Sequence, residues 1–535
     1  MVMKKIKIIV FVVVTLFFVT TILTSINGTG IDANYVDIET AAKAAETKIA
    51  ELGKSDDFSI YKETTVCEGE KVLFHMFYLQ PEGYVVTSAD LALPPVIAYS
   101  FQSNFSEGQN VLMDILKADI SLRLKNIDNL PDHVIEDRKQ MWKSVLNPKN
   151  ENAASINFEQ WPSEGTTSTG GWLETTWNQD SPYNNFCPLD NGKRSVAGCP
   201  AVAMAQILNY HKTTNGISFN DSDDYYHNYI HQYVIDDDHE KYDFPSFPEL
   251  NRYLATLSSH YENNTLLTDN DMATIVFACG VAAKQVYSSE VSGTFGVNQA
   301  YQAYLRFGID SIELLNESNP DLYGRLRMNM VDALPAHLAV VTPDWNSGHN
   351  VVVDGYNTDG YYHLNFGWGG SLDGWYLLPD DMPYGLTVIE GVIVDILKEN
   401  SGSDIYCGGN LHWADVEAGS TIYANFTVEN AGEPNSTLDW EIAEYPEWGT
   451  WTFMPSHGSN LSSGDKDYVT VSVLVPDKKI RNFRGYVKVV NKGNSDDFFI
   501  LPVSLATPKA APVIPPILQK IMQFFPVLWK IMQTL

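Results

Sequence analysis

The sequence predicts an α+β protein followed by a separate all-β unit, on three observations. A run with helical spacing opens at Gly198-Cys199-Pro200, with Ala201, Ala205 and Leu208 on one side and Val202 and Gln206 beside them. Far downstream, 351–356 and 361–366 read as two strands joined by a turn at Asn357-Thr358-Asp359-Gly360. Residues 401–507 then break into short β-branched and aromatic runs at 421–428, 437–442, 450–453, 468–475, 485–490 and 498–505. Turn clusters at 430–436, 456–464 and 491–497 separate them, which is the spacing of an Ig-like β-sandwich.

The bounds are consistent with several domains. At 535 residues the chain is too long for one core. A net charge of -31 excludes nucleic acid as a partner and disfavours attraction to an anionic membrane, because both would repel it. The five cysteines, Cys67, Cys187, Cys199, Cys279 and Cys407, fit no zinc spacing. The odd count leaves one thiol free, with Cys199 the candidate and Cys187 a weaker candidate for its redox partner.

Taken in order, residues 1–30 pair a basic start (Lys4, Lys5, Lys7) with an apolar run from Ile8 to about Leu23. That is either an export signal or an N-terminal anchor, and it takes the rest of the chain out of the cytoplasm. Residues 31–150 read as a separate α+β unit. A helix is expected at 40–52, strands at 72–79, 84–88 and 94–101, and a second helix through Ile115, Leu116, Ile120, Leu124 and Ile127. Residues 147–163 are polar and aperiodic, and the processing region is expected there. Within 221–240 the many acids match no calcium loop and read as a solvated insertion. A buried helix is expected at 272–287, and a Gly/Ser loop at 288–297. The tail 508–535 is apolar, repeats Lys-Ile-Met-Gln at 520–523 and 530–533, and is interrupted by Pro526. It reads either as an interfacial helix or as a strip docked on the protein itself.

Chemistry points to Cys199. Proline suits the first helical position, where its missing N–H costs nothing, so Cys199 is expected at the helix mouth. Unpaired N–H groups and the positive dipole end there favour a thiolate. The hairpin folds 365–369 back towards His349, bringing an imidazole beside an Asn and a Trp, the groups a sulfur nucleophile needs. His211, after the nucleophile helix, and His363, within a strand, are rival bases without such neighbours.

These residues carry a resemblance. W-N-Q-D-S-P-Y-N at 177–184, A-G-C-P-A-V-A-M-A-Q-I-L at 197–208, G-H-N-V-V-V-D-G-Y at 348–356, N-F-G-W-G-G at 365–370 and D-G-W-Y at 373–376 resemble the streptopain family of papain-like cysteine peptidases. The resemblance implies a papain-like catalytic domain at 160–398, with a helical half and a twisted antiparallel sheet. It also implies that 31–150 is an inhibitory pro-domain, through the similarity of G-Y-V-V-T-S-A-D and P-V-I-A-Y-S to such propeptides. By it Cys199 is the nucleophile, His349 the general base, and Gln179 an oxyanion donor beside the Cys199 N–H. Asn365 orients the imidazole, Trp368 shields that pair, and the 288–297 loop approaches the substrate. The family more often has Trp at Phe366 and a small or aliphatic residue at Pro200.

The implied function is a secreted or cell-surface cysteine endopeptidase made as a zymogen. Its partners are protein or peptide substrates and its own pro-domain, and it needs no cofactor or metal. Residues 1–30 and 508–535 are the candidate membrane contacts. Another papain-like acyl transfer, as in a transglutaminase or amidase, uses the same groups. A cell-surface binding protein with an inactive peptidase domain is the non-catalytic alternative.

Overall fold

The computed structural model describes residues 34–105, 111–130, 132–146, 158–379, 388–398, 402–413, 416–478 and 481–507. The expected signal or anchor at 1–30, the tail 508–535 and most of the expected processing region lie outside them. Among the described residues no helix is long and apolar enough to cross a membrane, and no cluster of three or more His, Cys, Asp or Glu could hold a metal ion.

The first unit packs α1 (Ile38–Glu51), α2 (Val111–Lys125) and α3 (Asp132–Leu146) against four strands, β1 (Ser59–Glu68), β2 (Lys71–Gln80), β3 (Tyr84–Ser88) and β4 (Val96–Ser100). α1 starts where the Asp37 side chain accepts the Thr40 N–H, satisfying an orphan donor of the first turn. Sequence reading missed β1 and α3. α3 buries an arginine and a tryptophan in place of an aliphatic stripe. Arg138 and Trp142 are almost fully buried, and their side chains donate to the Ala92 and Leu93 carbonyls.

The second unit has a helical half and a sheet half. Its longer helices are α4 (Cys199–Tyr210), α5 (Phe247–Glu262), α6 (Asp269–Ala282), α7 (Val297–Arg306) and α8 (Leu322–Val331). Its strands are β5 (Gln160–Trp161), β6 (Glu313–Asn316), β7 (Ala336–Val341), β8 (Gly348–Asn357), β9 (Tyr362–Asn365), β10 (Gly374–Tyr376) and β11 (Ile389–Val394). The expected hairpin is β8–β9, with Tyr356 opposite Tyr362 and Val352 opposite Asn365. The segment expected to be a solvated insertion instead holds a short hairpin, Tyr225–Asn228 with Gln232–Ile235, whose Tyr233 and Ile235 are buried in the helical core and whose His227 is buried too.

The two units share one sheet. β4 pairs with β10, Tyr99 opposite Trp375 and Ala98 opposite Tyr376. This joins the strands into one antiparallel sheet, β1-β2-β3-β4-β10-β9-β8-β7-β11-β6, with β5 on β8, eleven strands in all among the described residues. Side chains lock the seam. Tyr84 donates to the Leu372 carbonyl at 2.8 Å and lies 2.7 Å from the Tyr376 hydroxyl. Ser103 donates to the Asp373 carbonyl at 2.6 Å. Lys48 pairs with Asp359 at 2.7 Å while sitting over the Tyr99 and Tyr361 rings.

Sheet alternation sends successive side chains of β8 to different cores. Val352 joins the helical core with Ala201, Val202 and Ala205 of α4. Val351 and Val353 join the opposite core, where Leu116 and Ile120 of α2 cover Leu364 and Phe366. The first unit therefore roofs one face of the second unit's sheet, and α4 supports the other.

Behind these units, β12 (Ile405–Gly409), β14 (Thr421–Asn430), β16 (Thr450–Met454) and β18 (Lys466–Leu474) form one antiparallel sheet. A second holds β13 (Leu411–Trp413), β15 (Thr437–Glu444), β17 (His457–Ser462), β19 (Arg481–Asn491) and β20 (Asn494–Thr507). Both line one core that includes Phe426, Val471, Trp440, Val489 and Phe499. The expected turn cluster at 456–464 is in fact largely β17, an edge strand pairing with β15.

Candidate active site

Cys199 is the first residue of α4, and Pro200 the second, one position later than the sequence predicts. Gly198, the N-cap, has φ 86°, a region open to glycine. A Cβ there would lie 2.6 Å from the Gln285 side-chain oxygen and nitrogen, and Gln285 itself donates to the Ala197 carbonyl at 2.7 Å. Gln179 is tied to the segment leading into Cys199, because its carbonyl accepts the Ala197 N–H at 2.9 Å, and its side chain is half-buried. Gly293, in the expected 288–297 loop, faces the Pro200 ring, so that loop does run past the helix mouth.

Gln206, two turns along α4, ties the rest of the site to this helix. Its Oε1 accepts from the Trp177 N–H at 3.2 Å and the Thr175 hydroxyl at 2.9 Å, and its Nε2 donates to Asn365 Oδ1 at 3.0 Å. The sequence signal was a glutamine on a helix whose neighbours are all apolar. The Gly369 N–H donates to the Trp177 carbonyl at 3.0 Å, which closes the 365–369 loop onto the same segment.

His349 is the second residue of β8 and is buried. Its Nε2 bonds the Phe366 carbonyl at 2.8 Å, and its ring stacks on Trp368 with centroids 4.2 Å apart. Trp368 thus lies over one face of the imidazole. Asn365 does not orient the ring in this structure. Its Oδ1 accepts from Gln206 and from the Gly367 N–H, and its Nδ2 donates to the Thr175 carbonyl at 2.9 Å. With these bonds made, the neighbouring Phe366 carbonyl takes the imidazole. The Phe366 N–H in turn donates to Asp373 at 2.8 Å.

Among the described residues the side-chain contact on the Cys199 sulfur comes from Asn350, whose Nδ2 is 4.0 Å away, and not from His349. The strand alternation explains this. Asn350 shares the α4 side with Val352, while His349 shares the α2 side with Val351, against Phe366 and Trp368. Sulfur and imidazole therefore belong to consecutive positions around one strand end, but they are not bonded to each other.

Burial sets the protonation states. It pushes the Cys199 thiol up, against the N–H groups of Asn350 that lower it. It pushes His349 down to about 4, against the Phe366 carbonyl. The sequence expectation of a lowered thiol is not met here, because desolvation outweighs the hydrogen bonds from Asn350 and the Cys199 backbone. Both groups rest neutral near pH 7.

The rivals are accounted for. His363 is buried against Asp354 at 2.7 Å, and Asp354 also accepts the Leu173 N–H. His211 is the C-cap residue of α4, where burial lowers its pKa. All five cysteines are free thiols, with Cys187 buried and not paired with Cys199.

Comparison with known proteins gives two family matches. The Peptidase C10 family matches residues 177–376, and the Spi protease inhibitor family matches residues 33–120. The thiol protease/hemagglutinin PrtT of Porphyromonas gingivalis is 24% identical over 339 residues, 60% of this chain and 35% of that protein. Streptopain of Streptococcus pyogenes is 22% identical over 333 residues, 57% of this chain and 73% of that one. The chain thus spans about a third of the length of PrtT. A prointerpain A fragment of Prevotella intermedia aligns at 23% identity and TM-score 0.40, covering 62% of this chain and 98% of the fragment.

Proposed function

The chain belongs to the peptidase C10 family, its peptidase unit preceded by an inhibitor-type propeptide, and on that premise we propose that it is a secreted cysteine endopeptidase made as a zymogen. The observation that carries this reading is Cys199 at the mouth of α4, with Asn350 of β8 on its sulfur and the 365–369 loop tied to the nearby Trp177 segment.

In the latent chain α2 covers the sheet face to which His349 belongs, and both reacting groups are neutral. Removal of the first unit frees that face, and the imidazole turns from the Phe366 carbonyl to the sulfur. His349 then takes the Cys199 proton, and the thiolate attacks a peptide carbonyl. The Cys199 N–H and the Gln179 side chain hold the oxyanion. Loss of one such donor typically costs about 10²–10³ in rate. The imidazolium protonates the leaving amine, and water hydrolyses the thioester. Asn365 acts through the backbone, fixing the loop that bears Phe366 and Trp368. The substrate class is protein or peptide, and the first unit is the intramolecular inhibitor.

Residues 402–507 are read as an Ig-like β-sandwich with a spacing or adhesive role. Their two sheets around one core support that reading.

The test is Cys199→Ala in the full chain. Peptide hydrolysis and self-processing should both disappear while the thermal unfolding profile stays near that of the parent. Hydrolysis that persists in this variant removes the assignment.

A further inference from the structure

Three polar side chains outside the expected site line up behind the nucleophile. Tyr304 of α7 and His337 of β7 are fully buried, and the Tyr304 hydroxyl lies 3.2 Å from His337 Nδ1. His337 Nε2 lies 2.7 Å from Asn350 Oδ1, and Asn350 Nδ2 faces the Cys199 sulfur at 4.0 Å. No part of this chain of contacts is used in the reaction sequence above, which leaves its purpose open.

The hydrogen-bond chemistry has one consistent direction. An amide oxygen only accepts, so His337 Nε2 must carry the proton it shares with Asn350. Burial holds His337 neutral, with its pKa lowered to about 4, so Nδ1 is then an acceptor. The Tyr304 hydroxyl, kept protonated by burial, donates to it. With Oδ1 engaged, the Asn350 amide can present only N–H to the sulfur.

We infer that Asn350 is a second contact residue of the nucleophile, stabilising the Cys199 thiolate by N–H donation, and that His337 and Tyr304 are positioning residues that fix its amide. A hydrogen bond to an ionised acceptor is stronger than one to the neutral form, so the interaction favours loss of the thiol proton. Because it comes from the α4 side of β8, it does not depend on where the His349 ring lies. The groups acting on the thiol besides burial are the main-chain and side-chain donors of Asn350 and the backbone of Cys199 itself. The titratable side chains nearest along the flanking strands are His337 and His349.

This inference rests on Cys199 as the nucleophile, but its test needs no peptide hydrolysis. The rate of Cys199 alkylation by iodoacetamide is measured against pH on the full chain, resolved by peptide mass spectrometry. A His349→Ala background removes the second imidazole. Asn350→Leu deletes the donor. Asn350→Asp keeps the oxygen that His337 uses and replaces the donor with an acceptor, so it decides alone if the leucine variant does not fold. The expected result is a thiol pKa about one unit higher in Asn350→Leu, with alkylation near pH 7 about tenfold slower, and at least as large a change in Asn350→Asp. Profiles that superimpose on the parent overturn the inference. Failure of the peptidase reading shows separately, as hydrolysis that survives Cys199→Ala.

Discussion

His349 and Asn350, adjacent in β8, serve opposite faces of the sheet, and it is Asn350 that reaches the Cys199 sulfur while His349 bonds the Phe366 carbonyl at 2.8 Å. Sulfur and imidazole are thus separated by one strand position, with the first unit roofing the face on the histidine side.

The buried ring gives a pH dependence of defined sign. His349 titrates at about 4 in the folded chain against 6.5 as its ordinary value. The folded value is the lower one, so its contribution is full above pH 6.5 and is lost as pH falls towards 4. The whole effect is on the order of 3 kcal/mol. Unfolding followed at pH 7 and pH 4.5 should show a larger acid loss in the parent than in His349→Phe.

Asp373 has the opposite sign. Burial raises it to about 7, against the Phe366 N–H that lowers it. Its ordinary value is 3.8, so its ionisation weakens the fold as pH rises between those values. Asp373→Asn keeps an acceptor for Phe366 and should stabilise the chain at pH 8 by about 2 kcal/mol. Asp373→Ala should destabilise it, and differential scanning calorimetry of the two distinguishes these outcomes.

Lys48 anchors the first unit. Its side chain is almost buried, while Asp359 is about one third exposed, so the pair is worth less than a fully buried one. Lys48→Met should weaken the seam by about 2 kcal/mol, roughly thirtyfold in the equilibrium for undocking. Hydrogen exchange at the β4–β10 seam measures it, and self-processing should quicken in parallel.

Gly198→Ala should harm both fold and site. The new Cβ would enter the Gln285 side chain at a positive φ. We expect a stability loss of about 1–3 kcal/mol and at least a tenfold loss of peptide hydrolysis.

Much of this was legible beforehand where local chemistry is strong. Asp359-Gly360 between alternating strands marked the β8–β9 hairpin, and the Gly-Cys-Pro entry marked α4. The match between chain and family extends to the C10 peptidase unit and its propeptide. What escaped depends on partners distant in sequence. α3 was invisible because its buried face carries Arg138 and Trp142, which are stable there only with the Ala92 and Leu93 carbonyls opposite. β17 was read as a turn because His457 to Ser462 is mostly polar, and pairing with β15 is what makes it a strand. At the site, nothing in the 365–370 motif revealed that Gln206 would take the Asn365 oxygen and leave the Phe366 carbonyl to hold the imidazole.

The measurement closest to the central claim is the rate at which a neutral thiol-directed epoxide inactivates Cys199, before and after the first unit is removed by cleavage. The account predicts a rise of roughly a hundredfold at pH 7 on removal, abolished by His349→Ala, as the imidazole reaches the sulfur. An equal rate before and after cleavage, or a rise undiminished in His349→Ala, would contradict it.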